Sequence, residues 1–124
     1  MKSRVIVRTQ VKSFLESLAP DPRRKLWRGI KELAEDKGNR LLLDGSLSGF
    51  WRLRVDRMRV IFQETSHEGE RRIICIFADY RATVYAVFEQ LISSGLIGEL
   101  RDSPDVIEEV FGRHSSSHLP EPED

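Results

Sequence analysis

The stretch Phe50-Trp51-Arg52-Leu53-Arg54-Val55 alternates large apolar side chains with guanidinium groups. A two-residue period of that kind fits a half-buried strand and does not fit a helix. On a strand, Trp51, Leu53 and Val55 share one face while Arg52 and Arg54 share the other. Two guanidiniums so placed start about 6.5–7 Å apart at the backbone, a spacing that suits adjacent phosphates of a nucleic-acid strand. A second run, Met58 to Thr65, follows at hairpin distance and adds Arg59. A third, Arg72 to Ala78, is nearly all apolar, as expected where both faces are covered. Together the three runs predict an antiparallel meander with arginines on one surface. The first turn, at Asp56-Arg57, contains no glycine. Because arginine resists positive φ, a longer type I turn is expected there. The second connection, Ser66 to Glu70, is polar and contains Gly69, as a hairpin loop should.

The flanking segments fit around that meander. Ser3 to Arg8 reads as a first strand. Val11, Phe14, Leu15 and Leu18 form an apolar helical stripe that Pro20 stops. Asp21-Pro22 is a helix restart, with an N-cap and then proline at the first helical position. Leu26, Ile30, Leu33 and Ala34 line one face of that second helix, which Gly38-Asn39 ends. The basic residues Arg23, Arg24, Lys25, Arg28 and Lys31 lie mainly off the apolar side, either as solvated surface or as a supplementary phosphate-contacting face. Arg40 to Gly49 reads as a connection. Arg81 to Ile92 returns to helical spacing through Val84, Phe88 and Leu91. Beyond it, Ser103-Pro104 starts a short helix with Val106, Ile107, Val110 and Phe111 apolar, ended by Gly112. Arg113 to Asp124 reads as disordered.

At 124 residues the chain fits one domain. No apolar run approaches 18 residues, so no membrane span is expected. Cys75, the single cysteine, lies within an apolar strand and is expected to be a buried structural thiol, which fits a reducing cytoplasm. The zero net charge hides two unlike parts: +6 over residues 1–92 and −6 over residues 93–124. The expected organisation is a basic domain over 1–92 followed by an acidic extension over 93–124. A basic body implies an anionic partner. A helix in the tail, docked on the sheet or beside Tyr85, would bring Asp105, Glu108 and Glu109 near the arginines and compete with RNA; the alternatives are dimerisation or solubility.

Neither a Ser/His/Asp or Cys/His set, nor a metal-ligand cluster, nor a glycine-rich phosphate loop is visible, so no cofactor and no metal are expected. Arginine with tyrosine remains. RNA supplies its own nucleophile, the ribose 2′-hydroxyl, and a protein can cleave it by aligning that group with the adjacent phosphate and stabilising the developing charge. Arg52, Arg54, Arg59 and Arg81 can each donate to phosphate oxygens. Tyr85 can stack on a base or hold the 2′-hydroxyl. Arginine itself is a poor general base at neutral pH.

The series Leu43-Asp44-Gly45-Ser46-Leu47-Ser48-Gly49-Phe50-Trp51-Arg52-Leu53-Arg54-Val55, then Arg59-Val60-Ile61-Phe62, then Arg81 and Val84-Tyr85, resembles the RelE/ParE superfamily of toxins from type II toxin–antitoxin systems. The likeness runs from Val5 to Ile92. It implies an α+β fold in the order β-α-α-β-β-β-α plus a C-terminal extension. The implied sheet is small, four-stranded and mostly antiparallel, with a helical hairpin on one face and an open concave surface on the other. It also implies a metal-independent mRNA interferase, an endoribonuclease that cleaves mRNA in the ribosomal A site, leaves a cyclic phosphate and is held inactive by a cognate antitoxin. The family's basic pair falls on Arg52 and Arg54, where members often carry lysine. The phosphate-clamping arginine falls on Arg59 and the stacking tyrosine on Tyr85. The arginine that serves the leaving group falls on Arg81 only with a small gap. ParE-type relatives instead inhibit DNA gyrase without enzymatic action, and a degenerate relative would retain antitoxin binding alone.

Overall fold

The computed structural model describes residues 3–98, and residues 107–111 by their backbone. The elements are β1 (Ser3–Val7), α1 (Thr9–Ser17), α2 (Pro20–Glu32), β2 (Asn39–Leu42), β3 (Trp51–Val55), β4 (Met58–His67), β5 (Glu70–Tyr80), α3 (Val84–Ser93) and β6 (Ile107–Phe111). The α+β class and the helical hairpin agree with the sequence reading. The sheet is larger than expected. It has six strands in the order β2-β3-β4-β5-β1-β6, and it is mixed, because β1 runs parallel to β5.

The two additional strands lie where local pattern is weakest. β2 starts at Asn39, read as part of a helix stop, and continues into the segment read as a connection. As an outer strand with Leu41 and Leu42 both exposed, it has no buried face to impose alternation. β6 replaces the short helix expected around Val106 to Phe111. Apolar residues in adjacent pairs fit either period, the β-branched and aromatic types favour a strand, and the edge of β1 supplies hydrogen-bond partners through antiparallel pairing of Val7 with Ile107 and Ser3 with Phe111. β6 therefore lies at the opposite end of the strand order from β3, so its backbone runs far from Arg52 and Arg54. Docking of Glu108 and Glu109 beside those arginines is overturned by this pairing. The expected helix start at Ser103-Pro104, Asp105, the stop at Gly112 and the disordered run Arg113 to Asp124 lie outside the described residues.

The hairpin of α1 and α2 covers one face of the sheet. Val11, Leu15, Leu26 and Ile30 pack there with Val5, Val7, Leu53, Val60, Phe62 and Cys75, and Trp51 and Val55 close the margin. The expected facing of β3 is thus observed. α2 begins at Pro20, with Ala19 as the cap, so Asp21 sits in the first turn where it complements the helix dipole and pairs with Arg24. Gly29 lets α2 press closely on β3: a Cβ at that position would lie 2.8 Å from Val55 Cγ2. Where β1 ends, the side chain of Gln10 takes its place beside β5. Gln10 Nε2 donates to the Ala78 carbonyl at 2.8 Å and its Oε1 accepts from the Ala78 N–H at 2.7 Å.

The second face is not the open surface that the resemblance implies. α3 lays Val84 and Phe88 on Ile61, Ile76 and Phe77, with Phe50, Tyr85 and Leu91 around them. A β-bulge makes this possible. β4 runs regularly, but Ile61 pairs with Phe77 and Phe62 with Cys75, leaving Ile76 as an extra residue. Ile76 and Phe77 consequently both join the cluster under α3.

Both hairpin turns are tight. Val55 pairs with Met58, so the first consists of Asp56 and Arg57 alone. The positive φ falls on Asp56, at 53°, and not on Arg57. Aspartate tolerates that region, so the objection raised by arginine does not apply and the longer type I turn is not formed. The second turn is Glu68-Gly69, with φ of 50° and 77°, the positive pair of a type I′ hairpin.

Candidate nucleic-acid interface

The register of β3 and β4 brings the arginines together. Arg54 pairs directly with Arg59, and Arg52 lies two residues along opposite Ile61. Like charges directly opposite on one sheet face repel and lower stability. Met58 and Val60 enter the hairpin-side core, so Arg59 between them points to the other face, where Tyr85 of α3 stands.

Arg59 is not the exposed side chain that the sequence suggested. It is 4% exposed. Its Nη1 donates to the carbonyls of Asp56 and Met58, each at 2.9 Å, so it ties the β3–β4 turn to the strand. Burial lowers the proton affinity of Arg59, and the positive charges of Arg54 and Arg52 lower it further. Tyr85 acts the other way, by charge and by a hydrogen bond. Arginine has no acceptor, so its guanidinium donates to the phenol oxygen. No carboxylate of the described residues is among the groups that move Arg59. Asp79, its pairing partner across β4 and β5, accepts from the Thr83 hydroxyl at 2.7 Å and from the Tyr80 N–H at 2.8 Å.

The remaining candidates take different positions. Arg52 reaches across to β2, where Nη1 donates to the Asn39 carbonyl at 3.0 Å and to Asn39 Oδ1 at 2.9 Å. Arg54 is exposed. Tyr85 is half-buried against the α3 cluster, so it serves both the core and the arginine group. Arg81 is not among the groups that act on Arg59. Its N–H donates to the Arg57 carbonyl at 2.8 Å, and it lines an open cleft of about 730 Å³ with Arg54, Asp56, Arg57, Tyr80 and Ala82. Arg57 and Tyr80 were not singled out in the sequence. The first is read from sequence only as a turn residue, and the second lies beyond the run Arg72 to Ala78.

Among the basic residues of α2, Arg23 donates to the Leu18 carbonyl, Arg24 pairs with Asp21 and Lys31 lies over the Trp27 ring at 5.6 Å. These three are engaged within the helical layer. Lys25 and Arg28 instead line a second groove that ends at Arg54. Arg54 thus lies where two grooves meet, the second of which also contains the carboxylates Glu32 and Asp56, the latter paired with Lys25. Chemically, an in-register arginine pair with a third guanidinium nearby is suited to bind an anion that offsets the mutual repulsion.

No protein-family model matches the chain, and no curated protein matches it. Among solved structures, the chain is similar to a YoeB/ParE toxin from Agrobacterium tumefaciens, with 16% sequence identity and a TM-score of 0.49 over 61% of this chain and 96% of that one.

Proposed function

We propose that the chain is the toxin of a type II toxin–antitoxin pair and that it cleaves mRNA in the ribosomal A site through the ribose 2′-hydroxyl. The observation that carries this reading is the direct pairing of Arg54 with Arg59. Two guanidiniums facing each other across strands, with Arg52 beside them and no carboxylate of the described residues acting on Arg59, cost stability in the free protein. A phosphate bound at Arg54 offsets that cost.

On this reading the scissile phosphate sits on the exposed Arg54, with the buried Arg59 adding its charge from behind and Tyr85 against the adjoining nucleotide. The 2′-oxygen attacks phosphorus, the bond from phosphorus to the 5′-oxygen breaks, and a cyclic phosphate remains. The arginines stabilise the additional charge on the phosphoryl oxygens as it develops. The 2′-hydroxyl proton must leave and the departing 5′-oxygen must gain one. Arginine is unsuited to the first task, so the chain contributes alignment and charge stabilisation above all. The antitoxin would cover the exposed apolar pair Leu41 and Leu42 on the outer strand β2.

Induction of the chain in cells with separate readouts of translation and of DNA integrity tests the proposal. The expected result is rapid translation arrest, with mRNA cut at the A-site codon and 2′,3′-cyclic ends. Double-strand breaks dependent on DNA gyrase, with intact mRNA, would instead assign the chain to the gyrase inhibitors. Absence of both effects would leave antitoxin binding as the remaining activity.

A further inference from the structure

The cleft beside the β3–β4 turn holds an aromatic ring that the arginine–tyrosine group does not use. Tyr80 closes β5 and is 47% exposed, in a strand whose preceding residues Ile76, Phe77 and Ala78 are buried. Its ring meets Phe14 of α1 edge-on, with centroids 5.3 Å apart and planes at 65°, so the ring is held by a neighbour that leaves the cleft side uncovered. Its backbone is fixed as well: the Tyr80 carbonyl accepts from the Thr83 N–H at 3.0 Å. Arg54, Arg57 and Arg81 line the same cleft, against one carboxylate among the described residues, Asp56. That carboxylate lies 3.5 Å from Lys25 Nζ.

A held, exposed phenol ring surrounded by guanidiniums matches a nucleotide in both parts. The ring offers a flat face to a base, and the arginines offer donors to its phosphate. In a duplex the bases already stack on one another, so the matching ligand is unpaired. Arg54 belongs both to this cleft and to the pair with Arg59, and Asp56-Arg57 forms the rim between them.

We propose that the Tyr80 cleft is a subsite for one unpaired nucleotide of single-stranded RNA. The base stacks on Tyr80, Arg57 and Arg81 hold its phosphate, and the chain continues over the turn to the phosphate at Arg54. The choice of RNA rests on the proposed function, whereas the subsite itself rests on the cleft.

The test is binding of a short labelled single-stranded RNA, and of a set with one abasic position each, by the full chain. Tyr80→Ala, shown to be folded by its thermal melt, should bind the intact RNA about 5- to 150-fold more weakly, the span of one lost base–aromatic stack. The slope of log affinity against log salt should not change, because no phosphate contact is removed. Tyr80→Phe should retain the parent affinity. Arg57→Ala should lower that slope by about 0.7. One abasic position should weaken the parent as much as Tyr80→Ala does, and should cost the Tyr80→Ala protein nothing further. Equal affinity of parent and folded Tyr80→Ala would overturn the subsite, as would an abasic set in which no position loses its effect in the variant. The two proposals fail separately. A parent that binds RNA through Tyr80 without cutting mRNA retains the subsite and loses the nuclease. A parent that cuts mRNA with Tyr80→Ala unimpaired in binding loses the subsite alone.

Discussion

Replacing Arg59 by alanine should both unsettle the fold and weaken RNA binding, and the size of the first effect follows from its contacts. Nη1 donates to two backbone carbonyls, of Asp56 and Met58, each at 2.9 Å. Hydrogen bonds from a charged donor contribute about 1.5–3 kcal/mol each. Alanine removes both, together with the bond to the Tyr85 phenol, and leaves a gap under α3. Against this stands the relief of a desolvated cation facing Arg54 and Arg52, a cost of several kcal/mol for a buried charge. The balance is a loss of about 2–3 kcal/mol, because the Asp56 carbonyl in the turn and the Met58 carbonyl at the start of β4 both lose a charged donor. For a chain of this size that is a fall in melting temperature of about 6–15 °C. Arg59→Met, which refills most of the volume and carries no charge, should melt between parent and alanine variant. Thermal and urea denaturation of the three proteins measure this. If Arg59→Ala melts within about 2 °C of the parent, the guanidinium does not hold the turn and the account of its burial is wrong.

Arg54→Ala should behave in the opposite sense. Removing the exposed member of the like-charge pair should raise stability by about 0.2–1 kcal/mol while RNA affinity falls, and a destabilised Arg54→Ala would mean that the pair does not repel. Cys75 is fully buried, and burial pushes its thiol up from 9.0 to about 12. Its folded pKa lies above the unfolded one, so the contribution is fully present below pH 9 and is lost as the pH rises towards 12, at about 1.4 kcal/mol per pH unit within that window. Urea titrations from pH 8 upward should show that loss in the parent and not in Cys75→Ala, and the native thiol should resist alkylation at pH 8. Truncation after Ser93 removes β6 and exposes the edge of β1. The shortened protein should associate with itself or melt earlier, and a monomeric, equally stable product would show that β6 is dispensable.

The β3 facing was legible because Trp51, Leu53 and Val55 alternate with arginines and only one face of that strand enters the hairpin-side core. The helical stripes were legible for the same reason. Where burial is two-sided or absent, the pattern fell silent. β2 is an outer strand with Leu41 and Leu42 exposed, and β6 fits two periods at once. The burial of Arg59 could not be read locally, since it depends on α3 returning from more than 20 residues away to set Tyr85 beside it. Tyr80 is not legible because it lies just past the apolar run Arg72 to Ala78, and its side of the sheet is set by the bulge. At the first turn, the residue type of Arg57 is uninformative because the backbone demand falls on Asp56.

That last apolar run has a further consequence. Before the extra residue, the odd positions Ile73 and Cys75 face the helical hairpin; after it, the even position Ala78 does, and Tyr80 follows it to the Phe14 side. β5 thus contains a phase slip of one residue, and the segment beyond it is read in a different frame from the segment before. Were the strand unslipped, the Asp79 carboxylate would be driven into the hydrocarbon beneath α1, and the Tyr80 ring would crowd the guanidinium pair. The chain assigns ring and carboxylate to their sides of the sheet by counting residues, and the count is kept in Ile76 and Phe77, two side chains with no polar chemistry of their own.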